Sequence, residues 1–246
     1  MKLILISFIV FVSSCKKQDS TTTSRLVDTS TVVTALSSPK SPPGTYSYLA
    51  LGDSYTVGYG VFPEQSYPMQ LVDTLGKSGL KSNFTKVIAG SGWTTGDLIT
   101  NINREHLTRT FDVVTLLIGV NNQYRNFNEN LYRTEFSALL ETAIRLAGGD
   151  KTKVFVLTIP DWGVTPYART FGNGNTGTIT QQINQYNTIN KQESEKRFVT
   201  YIDVTPISRL AANDLSLLAS DNLHPSGKMY SMWVKLLAPN VITQVK

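Results

Sequence analysis

The chain has 246 residues, of which 41% are hydrophobic and 17% charged, and its formal net charge is +5. This composition excludes a disordered chain and a collagen-like repeat, and one cysteine with two histidines excludes an intrachain disulfide and a thiolate or poly-histidine zinc site. Residues 1–44 carry +3 of the charge and no basic stripe follows, so we expect no nucleic-acid partner.

The first segment, residues 1–14, has the pattern of a secretory signal peptide. Lys2 precedes an apolar run that ends at Val12. As a helix this run would extend only about 15 Å, too little to cross a bilayer of about 30 Å. The chain's only cysteine, Cys15, comes next, and the arrangement resembles the bacterial lipobox, in which this cysteine becomes the lipidated first residue. An ordinary cleaved signal peptide with a chance cysteine is the alternative.

The resemblance to a lipobox implies a protein of the bacterial cell envelope. A lipid on Cys15 would hold it on a periplasmic or outer-membrane face without spanning the membrane. Residues 15–44 then predict a flexible tether, because 12 of the 22 residues in 20–41 are Ser or Thr. Such a segment cannot bury enough apolar area to offset its ordering entropy. We expect the folded domain to occupy residues 45–246 and to be monomeric.

Short strands and amphipathic helices alternate through this domain. Helix stripes are indicated by Tyr132, Phe136, Leu139, Leu140 and Ala143, stopped by Gly148-Gly149, and by Met229, Met232, Trp233, Leu236 and Leu237. Runs rich in Val, Ile and Leu predict strands at 48–51, 87–89, 113–118, 154–159 and 199–204. The alternation predicts an α/β fold, with a mainly parallel five-stranded sheet and helices on both of its faces.

Small, polar and titratable residues follow the predicted strands. They are Gly52-Asp53-Ser54-Tyr55, Gly90-Ser91-Gly92, Gly119-Val120-Asn121-Asn122, Pro160-Asp161-Trp162-Gly163 and, after an irregular stretch, Asp221-Asn222-Leu223-His224-Pro225. Ligands of open parallel sheets bind outside the carboxyl ends of the strands. This arrangement is therefore typical of an active site.

Asp221 and His224 are candidates for an acid and a base. At a spacing of three residues the carboxylate can fix the imidazole tautomer and leave its other nitrogen free to accept a proton. The second histidine, His106, lies in a polar stretch that follows no strand. The alternative for His224 is a surface histidine at a helix start, where Pro225 suits the first turn.

Ser54, Gly92 and Asn121 are candidates for a nucleophile and its supporting donors. A serine in a tight strand-to-helix turn points its hydroxyl out of the sheet, and a base can activate it. A glycine N–H and an asparagine amide can stabilise an oxyanion. Taken singly, the three residues are also explained as a helix N-cap, a loop glycine and an Asx turn.

Taken together, these residues resemble the SGNH hydrolase family, also called GDSL esterases and lipases. The nucleophile block is Gly-Asp-Ser-Tyr around Ser54, the second block surrounds Gly92, and the third contains Asn121. The final Asp-x-x-His block supplies Asp221 and His224, and all blocks appear in the family's order. The resemblance implies a flavodoxin-like three-layer α/β/α fold and a Ser-His-Asp triad. The N–H groups of Ser54 and Gly92 and the Asn121 amide would form the oxyanion hole.

Two residues depart from the family pattern. Tyr55 replaces the usual leucine, which is not catalytic. Asn122 replaces the aspartate that often follows the family's asparagine, a change that affects how the third-block loop is braced and leaves the donor at Asn121 in place. The implied chemistry is hydrolysis of a carboxylic ester through an acyl-enzyme, and it requires no metal or organic cofactor.

Substrate identity is less constrained by the sequence. Loops at 57–68, with Tyr59, Phe62 and Tyr67, and at 161–177, with Trp162, Tyr167 and Phe171, are expected to line the cleft. Aromatic rings suit a sugar or a short acyl chain, and some of these residues are expected to belong to the core. No long apolar lid helix is visible, which favours a small or carbohydrate-borne acyl ester over the lysophospholipase or thioesterase alternative. A non-catalytic surface binding domain is the remaining alternative.

Overall fold

The computed structural model describes Leu36 and residues 41–172 and 175–245. The predicted signal peptide, Cys15 and most of the predicted tether lie outside the described residues. At the described end of that segment, Ser41 donates a hydrogen bond to Asp112 Oδ2 at 2.5 Å. Contacts of the folded domain therefore extend to Ser41.

The described chain is built around one parallel sheet with the strand order β2-β1-β3-β4-β5. Its strands are β1 (Thr45–Gly52), β2 (Lys81–Ala89), β3 (Val113–Leu117), β4 (Val154–Leu157) and β5 (Thr200–Ile202). The central strands are almost entirely buried, as their continuous apolar runs predict. The edge strand β2 is longer than predicted, because its outer residues are polar and partly exposed and give no apolar run.

Nine α-helices are found in the described residues. They are α1 (Ser54–Val57), α2 (Tyr67–Lys77), α3 (Thr95–Arg104), α4 (Val120–Tyr124), α5 (Glu129–Leu146), α6 (Pro166–Phe171), α7 (Thr176–Lys196), α8 (Thr205–Arg209) and α9 (Gly227–Val245). From β1 the chain moves to β2 in one direction, and from β2 it moves through β3, β4 and β5 in the other. Right-handed crossovers then place α2 on one face and α3, α5 and α7 on the opposite face.

These layers confirm the predicted three-layer α/β/α fold. Helix α9 packs on α2, while α5 contacts both α3 and α7. The sheet reverses its order at β1, so the carboxyl ends of β1 and β3 form the crevice in which such folds bind ligands.

The predicted helix stripes face the core with one exception. Tyr132, Phe136 and the other predicted residues of α5 are buried, and Gly148 and Gly149 adopt positive φ just beyond its end. In α9, Met229, Trp233 and Leu237 are buried and Met232 is partly buried. Leu236 is 44% exposed, so its assignment to the core stripe is wrong. Adjacent stripe positions diverge by about 100° around a helix, and here only Leu237 of that pair faces inward.

Among the described residues, no helix is long and apolar enough to cross a membrane.

Candidate active site

The turn that carries Ser54 is fixed by its neighbours. Gly52 ends β1 where a Cβ would lie 2.0 Å from Thr56 Oγ1, so only glycine fits. Asp53 is the N-cap of α1, and its side chain accepts a hydrogen bond from the Tyr55 N–H at 3.0 Å. The N-cap interpretation of Ser54 is therefore wrong, since Ser54 is the first residue of the helix. Its side chain stands at the carboxyl end of β1.

Ser54 lies at one end of a chain of three side chains. Its Oγ is 2.9 Å from His224 Nε2, and His224 Nδ1 is 2.6 Å from Asp221 Oδ2. His224 is only 8% exposed, which contradicts the surface-histidine alternative. The rings of Tyr55 and Tyr59 flank the imidazole, with centroids 5.3 Å and 4.9 Å away. The predicted nucleophile, base and acid therefore meet, although 170 residues separate Ser54 from His224.

The Asp221 carboxylate is held in its charged form. Burial by itself would raise the pKa of Asp221. The hydrogen bond to the His224 side chain and those donated by the backbone N–H groups of His224 and Leu223, both 3.0 Å from Oδ1, outweigh burial and hold the pKa below its usual 3.8. A carboxylate in this position can orient the imidazole and stabilise an imidazolium.

The two predicted oxyanion donors outside the nucleophile turn share one cavity with Ser54. Gly92 adopts φ +77°, a conformation that favours glycine, and its carbonyl accepts a hydrogen bond from Arg125 Nη2 at 2.8 Å. Asn121 Nδ2 donates to the Trp93 carbonyl at 2.9 Å. This bond uses one of the two amide hydrogens of Asn121 and fixes the amide plane.

The departure at Asn122 has a structural counterpart. Asn122 is fully buried, and its Oδ1 accepts from the Thr95 N–H at 3.0 Å while its Nδ2 donates to Thr95 Oγ1 at 2.7 Å. The Thr95 hydroxyl donates in turn to Glu135. Asn122 therefore braces α4 against the first turn of α3. The Thr95 hydroxyl accepts from the Asn122 amide and donates to the Glu135 carboxylate.

Asp53 is the buried acid nearest to the nucleophile in sequence. Its carboxyl group is fully buried, and burial raises its pKa to about 7, although the hydrogen bond donated by the Tyr55 N–H opposes the shift. Oδ2 has no hydrogen-bond partner in the described part of the chain. Asp53 thus holds the turn that carries Ser54 through the Tyr55 N–H.

A cavity of about 190 Å³ opens beside the Ser54 hydroxyl. Its lining combines the reactive groups with an aromatic wall: Ser54, Tyr55, Ser91, Gly92, Val120, Asn121, Tyr124, Trp162, Tyr167, Leu223 and His224. Tyr124 was missed by the sequence reasoning. Its spacing of three residues from Asn121, one helical turn, was the available signal. Within the described residues, no group of three or more His, Cys, Asp or Glu side chains could hold a metal ion.

The two predicted cleft loops contribute unequally. Tyr59 contacts His224, whereas Phe62 is 70% exposed. Tyr67 begins α2 and is fully buried, with its hydroxyl 3.2 Å from Thr115 Oγ1, so it is one of the rings that belong to the core and not to the cleft. The sequence does not distinguish the two environments, because an aromatic residue next to a proline occurs both in loops and in the first turn of a helix.

The second loop provides the aromatic wall. It contains a short 3-10 helix from Trp162 to Val164 and then α6, rather than irregular chain alone. Trp162 and Tyr167 line the cavity. Phe171 stacks on Tyr167, with ring centroids 4.7 Å apart, but is itself 60% exposed.

The fold resembles several solved structures. A lipase/acylhydrolase from Enterococcus faecalis has a TM-score of 0.63 at 22% identity, covering 81% of this chain and 97% of its own. The psychrotrophic esterase EstA from Pseudoalteromonas sp. has a TM-score of 0.60 at 17% identity, covering 80% and 97%. The acetylxylan esterase Axe2 from Geobacillus stearothermophilus has a TM-score of 0.57 at 19% identity, covering 81% and 94%. At these identities the likeness shows a shared fold.

The sequence itself assigns the family. No curated protein sequence matches the chain significantly. The profile of the GDSL-like lipase/acylhydrolase family matches residues 50–232, which include all of the predicted site residues from Ser54 to His224. The protein therefore belongs to the GDSL-like lipase/acylhydrolase family, whose members are hydrolases of esters.

Proposed function

We propose that this protein is a serine esterase that hydrolyses a carboxylic ester through an acyl-enzyme. The observation that carries the proposal is the contact of Ser54 Oγ with His224 Nε2, while His224 Nδ1 contacts Asp221. Gly92 and Asn121 line the same cavity as this chain of side chains. The base thus contacts the hydroxyl, the carboxylate contacts the base, and the proposed oxyanion donors line the cavity beside them.

The reaction begins with transfer of the Ser54 proton to His224 Nε2 as Oγ attacks the ester carbonyl carbon. The carbonyl oxygen becomes negative and receives hydrogen bonds from the N–H groups of Ser54 and Gly92 and from the Asn121 amide. Collapse of this intermediate breaks the bond to the alcohol oxygen, which takes the proton from His224. His224 then removes a proton from water, whose oxygen attacks the acyl carbon of the acyl-enzyme. Collapse of this second intermediate breaks the bond to Ser54 Oγ, which takes the proton back from His224 as the acid leaves.

A small or carbohydrate-borne acyl group is the substrate that we favour. The cavity of about 190 Å³ is smaller than the ~300–1,000 Å³ of pockets for drug-sized ligands. The exposed ring of Tyr59 contacts His224, which lines the cavity, and a sugar ring could pack on it. A lysophospholipase or thioesterase acting on longer chains is the second candidate, favoured by the largely aromatic wall of the same cavity.

Covalent labelling tests the assignment of the nucleophile. A fluorophosphonate probe should label the wild type and the control Ser78→Ala, an exposed serine at the end of α2, and should not label Ser54→Ala. Labelling of Ser54→Ala would place the nucleophile elsewhere. The wild type should hydrolyse p-nitrophenyl acetate. An inert wild type would favour the non-catalytic binding domain.

Two natural classes of substrate can then be compared with the same enzyme. Acetylated xylan is a suitable carbohydrate ester, since an acetylxylan esterase shares this fold. A lysophospholipid is the matched long-chain substrate. Release of acetate from xylan supports the carbohydrate preference, and faster release of fatty acid from the lysophospholipid would contradict it.

We also propose that the protein acts at the bacterial cell envelope, anchored by a lipid on Cys15. The proposal is supported by the apolar run before this cysteine and by the Ser/Thr-rich segment after it. An anchor of this kind would present the domain to esters of the envelope or of nearby polysaccharides.

A further inference from the structure

We propose that Trp162 limits the length of the acyl chain that the site accepts and that Gln123 positions its indole. The inference rests on the proposed esterase function and concerns the specificity of that site. Trp162 lines the cavity beside Ser54 and yet is only 4% exposed, as expected for a side chain that closes a pocket.

The direction of the acyl chain follows from the groups around Ser54. The leaving alcohol must lie beside His224 Nε2, which protonates it, and the carbonyl oxygen must face Gly92 and Asn121. These groups come from the loop before α9 and from the ends of β2 and β3. The direction left for the acyl chain faces the end of β4, the next strand of the sheet, where Trp162 stands.

The indole is fixed by a relay of side chains. Trp162 Nε1 donates to Gln123 Oε1 at 2.7 Å, and Gln123 Nε2 donates to Gln182 Oε1 at 2.7 Å. Gln123 lies on α4, two residues after Asn121, and Gln182 lies on α7. Rotation of the indole away from the cavity would leave a buried amide oxygen unpaired, which is unfavourable.

The backbone beneath the indole is also held in place. Asp161 is fully buried, and its Oδ1 accepts from the Gly163 N–H at 3.0 Å while its Oδ2 accepts from Arg209 Nε at 2.9 Å. A Cβ at Gly163 would lie 2.8 Å from the Thr176 carbonyl oxygen, so the segment is closely packed against α7. Trp162 is therefore a rigid wall.

Two tyrosines complete the wall. Tyr124 meets the Trp162 ring edge-on at 5.6 Å between centroids, and Tyr167 does so at 6.3 Å. All three line the cavity of about 190 Å³. An acyl chain longer than a few carbons would collide with these rings. Closely packed side chains cannot make room for an added methylene without a loss of stability.

Hydrolysis of p-nitrophenyl esters from acetate to octanoate by the full chain tests this inference. The wild type should favour acetate and butyrate. Trp162→Ala should raise the ratio of kcat/KM for octanoate to that for acetate by at least about tenfold, since each added methylene gains binding energy in a vacated pocket. Trp162→Leu, which keeps an apolar side chain in this buried position, should raise the ratio less. Phe198→Ala, which removes an exposed aromatic ring just before β5, outside the cavity lining, should leave the ratio unchanged.

Gln123→Ala examines the relay separately. This variant keeps the Trp162 indole but removes the hydrogen bond that fixes its orientation. The ratio of kcat/KM for octanoate to that for acetate should therefore rise, while kcat for acetate changes little. Circular dichroism establishes that each variant is folded. If folded Trp162 variants retain the wild-type ratio, the inference is overturned and the esterase proposal stands. If the wild type hydrolyses no ester, the esterase proposal itself fails.

Discussion

The Asn121 amide group has two hydrogens. One is bonded to the Trp93 carbonyl, and the other is available to an oxyanion. Asn121→Ala should lower kcat by roughly 10²–10³ with a modest change in KM, as for loss of one preorganised donor. Steady-state kinetics on p-nitrophenyl acetate measure both constants. Asn130→Ala, an exposed asparagine on α5, is the matched control. An unchanged kcat in Asn121→Ala would remove this residue from the oxyanion hole.

The buried carboxyl group of Asp53 makes stability depend on pH. Its pKa is raised from 3.8 to about 7 by burial, so the folded state binds the proton more tightly than the unfolded state does. The free energy of unfolding should therefore fall as pH rises from about 4 to about 7, by roughly 4 kcal/mol from this group, and then level off.

Asp53→Asn removes this dependence and isolates it. Urea unfolding at a series of pH values measures the free energy of unfolding of the wild type and of Asp53→Asn. The variant should gain stability relative to the wild type between pH 4 and pH 7. A difference that stays constant over this range would show that Asp53 does not titrate there in the folded protein.

At the residue scale, the sequence was sufficient to predict which side chains carry the candidate chemistry. It was insufficient to predict how the neighbouring side chains pack. Ser54 is recognisable because it directly follows a buried strand, and His224 because it lies three residues after Asp221. The blocks that contain them stand in the order of the family that they resemble. Leu236 was misplaced, since an apolar side chain in the middle of a helix is compatible with the core and with the surface. Only the position of the neighbouring elements distinguishes these two environments.

At the scale of elements, the contact between α3 and α4 depends on the direction of the hydrogen bonds at Thr95. Asn122 donates to the Thr95 hydroxyl, which donates to Glu135. In Asn122→Asp, the Thr95 hydroxyl would lie between the carboxylates of the new aspartate and of Glu135. Its single hydrogen could be donated to only one of them. The variant should lose about 1–3 kcal/mol of stability.

A double-mutant cycle tests the direction of this relay. In Asn122→Asp with Glu135→Gln, the glutamine amide can donate to Thr95, which can donate to the aspartate, so the relay is reversed and complete. The double variant should recover most of the stability lost by Asn122→Asp in urea unfolding. Glu135→Gln alone is the control and should cost little. Strictly additive losses would contradict the relay.

Elements were predicted best where both faces of a strand are buried. The strands β1, β3 and β4 were found from continuous apolar runs, and their ends gave the positions of the site loops. Only the last residues of β2 were predicted, because an edge strand carries polar residues that resemble a loop. The helix α6 was predicted as loop, since its length of six residues is too short for a periodic pattern.

For the whole molecule, the proposed lipid anchor should determine where the protein is located and should not affect its catalytic activity. Cys15→Ser should move esterase activity from the membrane fraction to the soluble fraction of the cells that produce it. The value of kcat/KM on a soluble ester should stay the same, because the residues assigned to the reaction lie between 54 and 224. Activity that is already soluble in the wild type would contradict the anchor and favour an ordinary cleaved signal.

The separation of 170 residues between Ser54 and His224 also bears on protein synthesis. The segment that carries His224 precedes α9, and Tyr230 of α9 donates a hydrogen bond to the Tyr55 carbonyl beside the nucleophile. In the proposed esterase, a growing polypeptide on the ribosome would present Ser54 long before His224, its proposed base, is made. The hydroxyl would then stay unactivated during translation, and the first turnover would require that the C-terminal helix has docked.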